Sequence, residues 1–305
     1  MTSGKAKLLL LFGTSIWGAT FIFTKIGIEY TSPTFYIILR FCLAILLILI
    51  FFRKYILKIN KKIAKQSVLL GLFFSVGFLL QTFALKYTSV NNTAFITELT
   101  VVITPFIFWI VSRQKIQLGS KIGVFVAFLG IIIMTNPSFQ APNFGDILTL
   151  FSTFCWAFYI TYIDVFTKEA DDEETDDIKL SIQFVFMQFV TGLPILLVYF
   201  LLFECKSFYF EPTLPLLVSV LFNGILASFL VSFIQMAVQK YTTPVNAALI
   251  YASEPIFACV FSFFFFGEVL TLQGYIGAGI TLLAILIANS YETVIEKIKL
   301  KKNNT

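Results

Sequence analysis

From Thr34 to Phe52 the chain runs through apolar side chains with a single charge, Arg40, and stretches of this kind recur along its length. About 20 such residues in helical form cross the hydrocarbon core of a bilayer. In lipid, only helices and closed barrels satisfy every backbone N–H and C=O. Of the 305 residues, 58% are hydrophobic and 13% charged, whereas a soluble domain carries roughly 25% charge. The chain cannot clothe itself in a polar coat. Length alone would allow two soluble domains, but hydropathy overrules that count and implies a polytopic membrane protein.

Charged and turn-rich breaks divide the sequence into ten expected spans, at about 7–28, 34–52, 67–85, 92–112, 119–135, 146–166, 180–203, 214–238, 245–266 and 271–290. Lys5 and Lys7 precede the first run as they would in a signal peptide. No small-residue cleavage site follows and the run is long enough to span, so it is kept as a helix. Orientation follows from the Lys/Arg bias. With the N-terminus cytoplasmic, the inside segments collect eighteen of the 22 basic residues, including the run from Arg53 to Lys65; the outside loops hold only Lys86 and Lys206. Both termini are therefore expected in the cytoplasm. The acidic stretch from Glu169 to Asp177 falls on the same side, but acids weigh little in topology. It lacks the central glycine of a calcium loop and reads as a solvated linker at 167–179 joining two halves.

The segment "QTFALKYTSVNNTAFI" at 81–96 is written again as "QMAVQKYTTPVNAALI" at 235–250. Gln81/Gln235, Lys86/Lys240, Tyr87/Tyr241, Thr88/Thr242, Asn92/Asn246, Ala94/Ala248 and Ile96/Ile250 coincide at an offset of 154, and the match extends to Gly123/Gly277. A weaker echo at an offset of 139 joins Thr14 to Thr153 and Trp17 to Trp156. Apolar composition makes Leu/Phe-rich helices resemble one another, but it does not produce coincidences at Gln, Lys, Tyr, Thr and Asn. Five spans, an odd number, separate the copies, so they face opposite ways in the bilayer. The expected fold is an all-α membrane protein of ten transmembrane helices, built as two inverted five-helix repeats at about 1–140 and 141–305. Halves related by inversion can exchange conformations and open a central site to either side in turn, which makes transport the leading function.

Several segments carry a family resemblance: "WGATFIFTK" in the first span, "LRF" in the second, "FALKYTS" across the third and fourth, and "EPIFACVFSFFFFGEVLTLQGYIGAGITLLAILI" across the last two. Together they resemble the drug/metabolite transporter superfamily, in particular its ten-helix EamA-type branch. The resemblance implies two inverted five-helix repeats around a central cavity, cytoplasmic termini, and movement of amino acids, other small metabolites or drugs, commonly outward. It also implies a bacterial inner membrane. One departure stands out: Thr100-Val101 occupies the place equivalent to Glu254-Pro255.

A charge at the bilayer centre costs from about 2.5 kcal/mol upward, so such residues face a cavity or a partner. Lys25 and Asp164 lie near span ends and can snorkel; Arg40, Glu98 and Glu254 sit deeper. Pro255 is expected to kink its helix, leaving Tyr251 and Glu254 on one face with Ala247 and Ala258. Glu254 either binds a substrate amine or a proton, or serves as a structural partner of Arg40. Thr93, Thr97, Thr100 and Thr104 form a stripe beside Glu98, suited to a wet cavity or to bonding their own helix carbonyls. Trp17 and Trp156 lie near mid-span, too deep for interface anchors, and with Phe21 and Tyr159 can wall a pocket. Gln81 and Gln235 are repeat equivalents, with Ser228, Ser232 and Asn223 near the latter; each is either cavity-lining or interhelical. Gly274, Gly277 and Gly279 read as close helix packing.

The candidate substrate cavity is thus Trp17, Arg40, Gln81, Thr97, Glu98, Thr100, Trp156, Tyr159, Asn223, Gln235, Tyr251 and Glu254. Cys42, Cys155, Cys205 and Cys259 have no metal-ligand or redox spacing and read as small buried hydrophobes. No cofactor, metal or nucleic acid is expected; the partners are a small-molecule substrate and the lipid bilayer. Without a nucleotide-binding motif, gradients must drive transport, and with no His a carboxylate is the group available for proton coupling. A nucleotide-sugar or phosphate-ester exchanger is an alternative, for which Lys25 and Arg40 are a thin supply of charge. A channel or structural membrane protein is the alternative of another class. An enzyme would need a catalytic cluster that the sequence lacks.

Overall fold

The computed structural model describes residues 1–88, 90–135, 142–171, 176–267, 269 and 271–303. Among them the regular structure is helical, with one isolated extended pairing between Thr31 and Phe210. The helices are α1 (Ser3–Tyr30), α2 (Pro33–Phe51), α3 (Arg53–Ile56), α4 (Lys61–Tyr87), α5 (Val90–Glu98), α6 (Thr100–Ser112) and α7 (Leu118–Thr135). There follow α8 (Phe144–Asp171), α9 (Asp177–Tyr199), α10 (Leu214–Leu221), α11 (Ser232–Val238), α12 (Pro244–Tyr251), α13 (Glu254–Phe266) and α14 (Leu272–Asn303). Eight helical stretches are long and apolar enough to cross a membrane, and two shorter apolar helices, Leu118–Met134 and Leu272–Ala288, stand where the fifth and tenth spans were expected.

Helix starts follow from capping chemistry. Thr243 accepts from the backbone N–H of Asn246 ahead of Pro244, Thr213 does the same for Leu216, and Asn60 accepts from Lys62. Each oxygen satisfies an N–H that has no intrahelical partner. The outer surface is apolar: Phe106, Phe125, Leu201, Leu202, Phe264 and Leu283 are all exposed. Water would penalise such a surface; lipid does not. Inside, Phe41, Phe74 and Phe189 pack in edge-on and tilted pairs with centroids 4.9–5.5 Å apart. Buried hydroxyls such as Thr14, Thr149 and Thr167 bond back to the carbonyl one turn earlier.

Two expected spans are broken. The fourth divides at Leu99 between α5 and α6, and the ninth at Ala252–Ser253 between α12 and α13. The backbone bonds at the two breaks are the same at the repeat offset of 154. Leu99 N–H donates to Ile96 O as Ser253 does to Ile250 O; Val102 and Ile103 donate to Leu99 O as Ile256 and Phe257 do to Ser253 O. The helices also end alike, at Arg113 (φ 57) and Gly267 (φ 68), which among the described residues are the positions of positive φ. A proline follows the second break but not the first, so Pro255 accompanies the break without being its sole cause.

Several expectations need correcting. The acidic linker placed at 167–179 is partly helical: α8 runs through Asp171 and α9 starts at Asp177, while 172–175 lie outside the described residues. An i,i+4 pair between Lys168 and Asp164 (2.7 Å) supports the last turns of α8. The cysteines are not buried: Cys42 and Cys205 are exposed, Cys155 and Cys259 half-buried, because an apolar run in a membrane need not face inward. A Cβ added at Gly279 would meet nothing within 4 Å, whereas Gly277 packs closely. A Cβ built on Gly277 would lie 2.2 Å from the backbone N of Met134 and 2.6 Å from Gly130 O, at the crossing of α7 and α14.

That contrast is testable. Gly277→Ala must push two backbones apart and is expected to cost about 1–3 kcal/mol, seen as a lower thermal midpoint in detergent. Gly279→Ala should shift stability by no more than about 0.5 kcal/mol. Equal midpoints for the two variants would remove the crossing contact as a source of stability.

Candidate functional site

The paired breaks sit beside a cavity of about 90 Å³, lined by Trp17, Thr20, Phe74, Phe78, Gln81, Thr97, Glu98, Thr100, Trp156, Tyr159, Ile160, Gln235, Ala248, Tyr251 and Glu254. Ten of the twelve candidates named from sequence are in this lining. The exceptions are Arg40 and Asn223. Arg40 is buried, with its Nε donating to Ser228 Oγ (3.2 Å) and its guanidinium 4.5 Å from the centroid of the Phe78 ring. It therefore sits behind the cavity wall, and Glu254 is not its partner. Asn223, outside the lining itself, donates to Thr24 Oγ1 (3.0 Å), the Tyr36 hydroxyl (2.6 Å) and, at 3.5 Å, the carbonyl of the lining residue Thr20, tying α1 to α2. Lys25 donates to Leu85 O, so it staples α1 to α4.

The lining follows the repeat. Trp17/Trp156 and Thr20/Tyr159 are related by the offset of 139; Gln81/Gln235, Thr97/Tyr251 and Thr100/Glu254 by the offset of 154. At these five pairs each half presents the same positions to the same space, whereas Phe74, Phe78, Glu98, Ile160 and Ala248 line it without their equivalents. The two carboxylates are not equivalent to each other. Glu98 is the last residue of α5 and corresponds to Ala252, whereas Glu254 opens α13 and corresponds to Thr100. Each half gives one acid, from a different side of its helix break. Glu254 also stands in the first turn of α13, where the helix dipole favours an anion.

Aromatic rings fix the walls. Trp17 meets Tyr251 edge-on at 5.3 Å between centroids; Trp156 meets Phe78 at 4.9 Å and Phe74 at 5.8 Å in the same manner. Tyr159 donates its hydroxyl to Gln188 Oε1 (2.9 Å), and Gln81 Nε2 donates to Thr97 Oγ1 (3.0 Å). Gln239 is a hub that sequence reasoning missed: its Oε1 accepts from Gln235 Nε2 (3.1 Å) and the Tyr251 hydroxyl (3.2 Å), while its Nε2 donates to Ile160 O (2.6 Å). Beyond it, Asp177 accepts from Lys240 Nζ (2.7 Å) and the Tyr241 hydroxyl (2.8 Å). The backbone from Gln239 to Tyr241 thus connects the cavity wall to the start of α9. Thr20, Phe74, Phe78, Ile160 and Ala248 were also missed; for Thr20 the signal was present, as the repeat equivalent of Tyr159.

Helices long and apolar enough to cross a membrane pack around a small polar and aromatic cavity, and the family match makes this chain a membrane transporter. It belongs to the EamA-like transporter family, whose model matches residues 4–136 and 143–290. An uncharacterized transporter of Archaeoglobus fulgidus is 31% identical over 93% of this chain and 85% of its own length. The uncharacterized transporter YoaV of Bacillus subtilis is 22% identical over 90% of this chain and 93% of its own. One solved crystal structure shares the fold at a TM-score of 0.72 and 12% identity, covering 96% of this chain and 99% of that one.

Gln239→Leu should leave a hydroxyl and an amide without partners, each costing about 1–3 kcal/mol when buried. Tyr251→Phe removes a single bond of the three. Thermal unfolding in detergent is expected to rank wild type above Tyr251→Phe and Tyr251→Phe above Gln239→Leu; the reverse order would deny Gln239 its role as hub.

Proposed function

We propose that the protein is a secondary active transporter that exports amino acids or similar small metabolites by alternating access. Its ten helices are read as two inverted five-helix repeats, 1–140 and 141–305, with both termini cytoplasmic and the chain in a bacterial inner membrane. The observation that carries this reading is the cavity lined by five pairs of repeat-equivalent residues. A site placed on the pseudo-symmetry of two inverted halves is equally accessible to either half's conformation, which is what alternating access requires. Glu98 and Glu254 supply the titratable groups through which a proton gradient would be coupled to cargo.

The cavity also weighs against the alternatives. Among the residues lining it there is no Lys or Arg, and a nucleotide sugar or phosphate ester needs such charges. At about 90 Å³ it is smaller than the roughly 300–1000 Å³ of most ligand pockets. The cargo is therefore small, or the walls move to admit it.

Reconstituted vesicles exposed to a cellular metabolite extract, with and without a proton gradient, test the reading by mass spectrometry of what they retain. Enrichment of a few small metabolites over empty vesicles is expected. Glu254→Gln and Trp156→Ala should reduce it at least about tenfold, the equivalent of about 1.4 kcal/mol. Enrichment indifferent to both substitutions would move the site elsewhere. No enrichment under a gradient of either sign would favour a structural membrane protein.

A further inference from the structure

The charge in and around the cavity is partitioned by one side chain. On the cavity side of Phe78 stand Glu98 and Glu254; on its other side lies Arg40, stacked against the ring and bonded to Ser228. Among the described residues neither carboxylate has a hydrogen-bonding or basic partner, and α5 packs against α13 so that both acids share one small space. Two carboxylates in so confined a volume need a proton or a cation between them as counter-charge.

The remaining polar groups ask for the same kind of guest. Gln235 is 1% exposed, and its Nε2 is committed to Gln239. Its Oε1 is buried without a partner in the cavity wall, an acceptor awaiting an N–H. Trp17, Phe74, Phe78, Trp156, Tyr159 and Tyr251 surround the acids with rings, whose faces attract a desolvated cation by about 2 kcal/mol or more. Against these stand neutral donors only, among them the indole N–H of Trp156, which is buried without a partner. Nothing lining the cavity matches a carboxylate on the cargo: the nearest guanidinium described is shielded by Phe78.

We propose that the cavity selects its cargo by a positively charged amine, held between Glu98 and Glu254 against the aromatic walls and Gln235 Oε1, and that a carboxylate on the same molecule weakens binding. The cargo class is then small organic mono- and diamines in preference to the amino acids from which they differ by a carboxyl group. This rests on the transporter reading and narrows its substrate class. Phe78 acts as the specificity-determining residue, because it separates Arg40 from the guest.

The test uses the full chain carrying Trp109→Phe. Trp109 is half exposed on the apolar surface, and its removal leaves Trp17 and Trp156, both in the cavity, as the tryptophan fluorophores. Three pairs are titrated, each member differing from the other by one carboxylate: agmatine against arginine, cadaverine against lysine, and phenethylamine against phenylalanine. The expected result is binding of the amine at least about tenfold tighter than its amino acid in the pairs that bind. Glu98→Gln and Glu254→Gln should each weaken amine binding, and Phe78→Ala, with Phe78→Leu as the milder form, should narrow the preference by uncovering Arg40. The wild-type comparison decides the matter even if a variant fails to fold. Amino acids binding as tightly as their amines, or no response to any amine at millimolar concentration, would overturn the proposal. The vesicle experiment separates the two readings: zwitterions or anions accumulating inside would sink amine selection and leave the transporter standing, whereas no accumulation would sink the transporter.

Discussion

Hydrocarbon offers no partner to a backbone group released from its helix, so irregular backbone at membrane depth survives only when protein or a polar cavity covers it. This chain interrupts its helices at Leu99 and at Ala252–Ser253, and both interruptions are repaired by the same tightened bonds one residue short of the helical register. Thr97, Glu98 and Thr100 flank the first and Tyr251 and Glu254 the second, and all five line the cavity. The breaks and the cavity are therefore one feature. Helix ends turned toward a shared space bring polar side chains to the place where a polar guest can use them.

The two halves meet there as near-equals in backbone and as unequals in chemistry. Equivalent positions carry Thr100 in one half and Glu254 in the other, and Glu98 corresponds to Ala252. Phe74 and Phe78 correspond to Ser228 and Ser232. The first pair lines the cavity, while Ser228 turns to Arg40. Exchange of conformation between inverted halves requires that their backbones be interchangeable, but nothing requires the same of their side chains. The asymmetry places the buried positive charge behind an aromatic wall, on one side of a cavity whose own charges are negative.

Much of this was legible in the sequence because polar residues are expensive in a membrane helix and therefore informative. Gln81, Glu98, Trp156, Gln235 and Glu254 stood out against apolar surroundings, and the repeat offset tied them together. Arg40 stood out for the same reason and was misplaced, because a buried guanidinium stacked on Phe78 satisfies itself without reaching the cavity. Asn223 was misplaced through geometry. It was placed near Gln235 by its position in the chain, whereas the stretch Phe222–Val231 is π-helical and Asn223 turns to Thr24 and Tyr36. Phe74 and Phe78 were lost among 38 phenylalanines, where composition hides any single aromatic. Gln239 escaped because two of its three partners, Tyr251 and Ile160, come from other elements, which no local pattern announces.

The helix ends beyond the cavity bear on how such a site would open. At one end Lys25 donates to Leu85 O, and the segment after α9 is clasped onto the α1–α2 turn through Tyr209, which donates to Ile28 O, and Glu204, which accepts from Thr34 N–H (3.0 Å). At the start of α9, Asp177 holds Lys240 and Tyr241 (2.7 and 2.8 Å). Both ends are fastened in this structure, consistent with a cavity too small for most metabolites. The fastenings differ in kind: a lysine on a backbone carbonyl at one end, a partly exposed ion pair at the other. The Asp177 carboxylate is 44% exposed, so salt reaches that pair from one side, while Lys240 is buried and Lys25 partly so. The Asp177 end is joined to the cavity wall through Gln239, the sequence neighbour of Lys240, which bonds Tyr251, Gln235 and Ile160, so a guest that shifts Tyr251 or Gln235 pulls on that fastening.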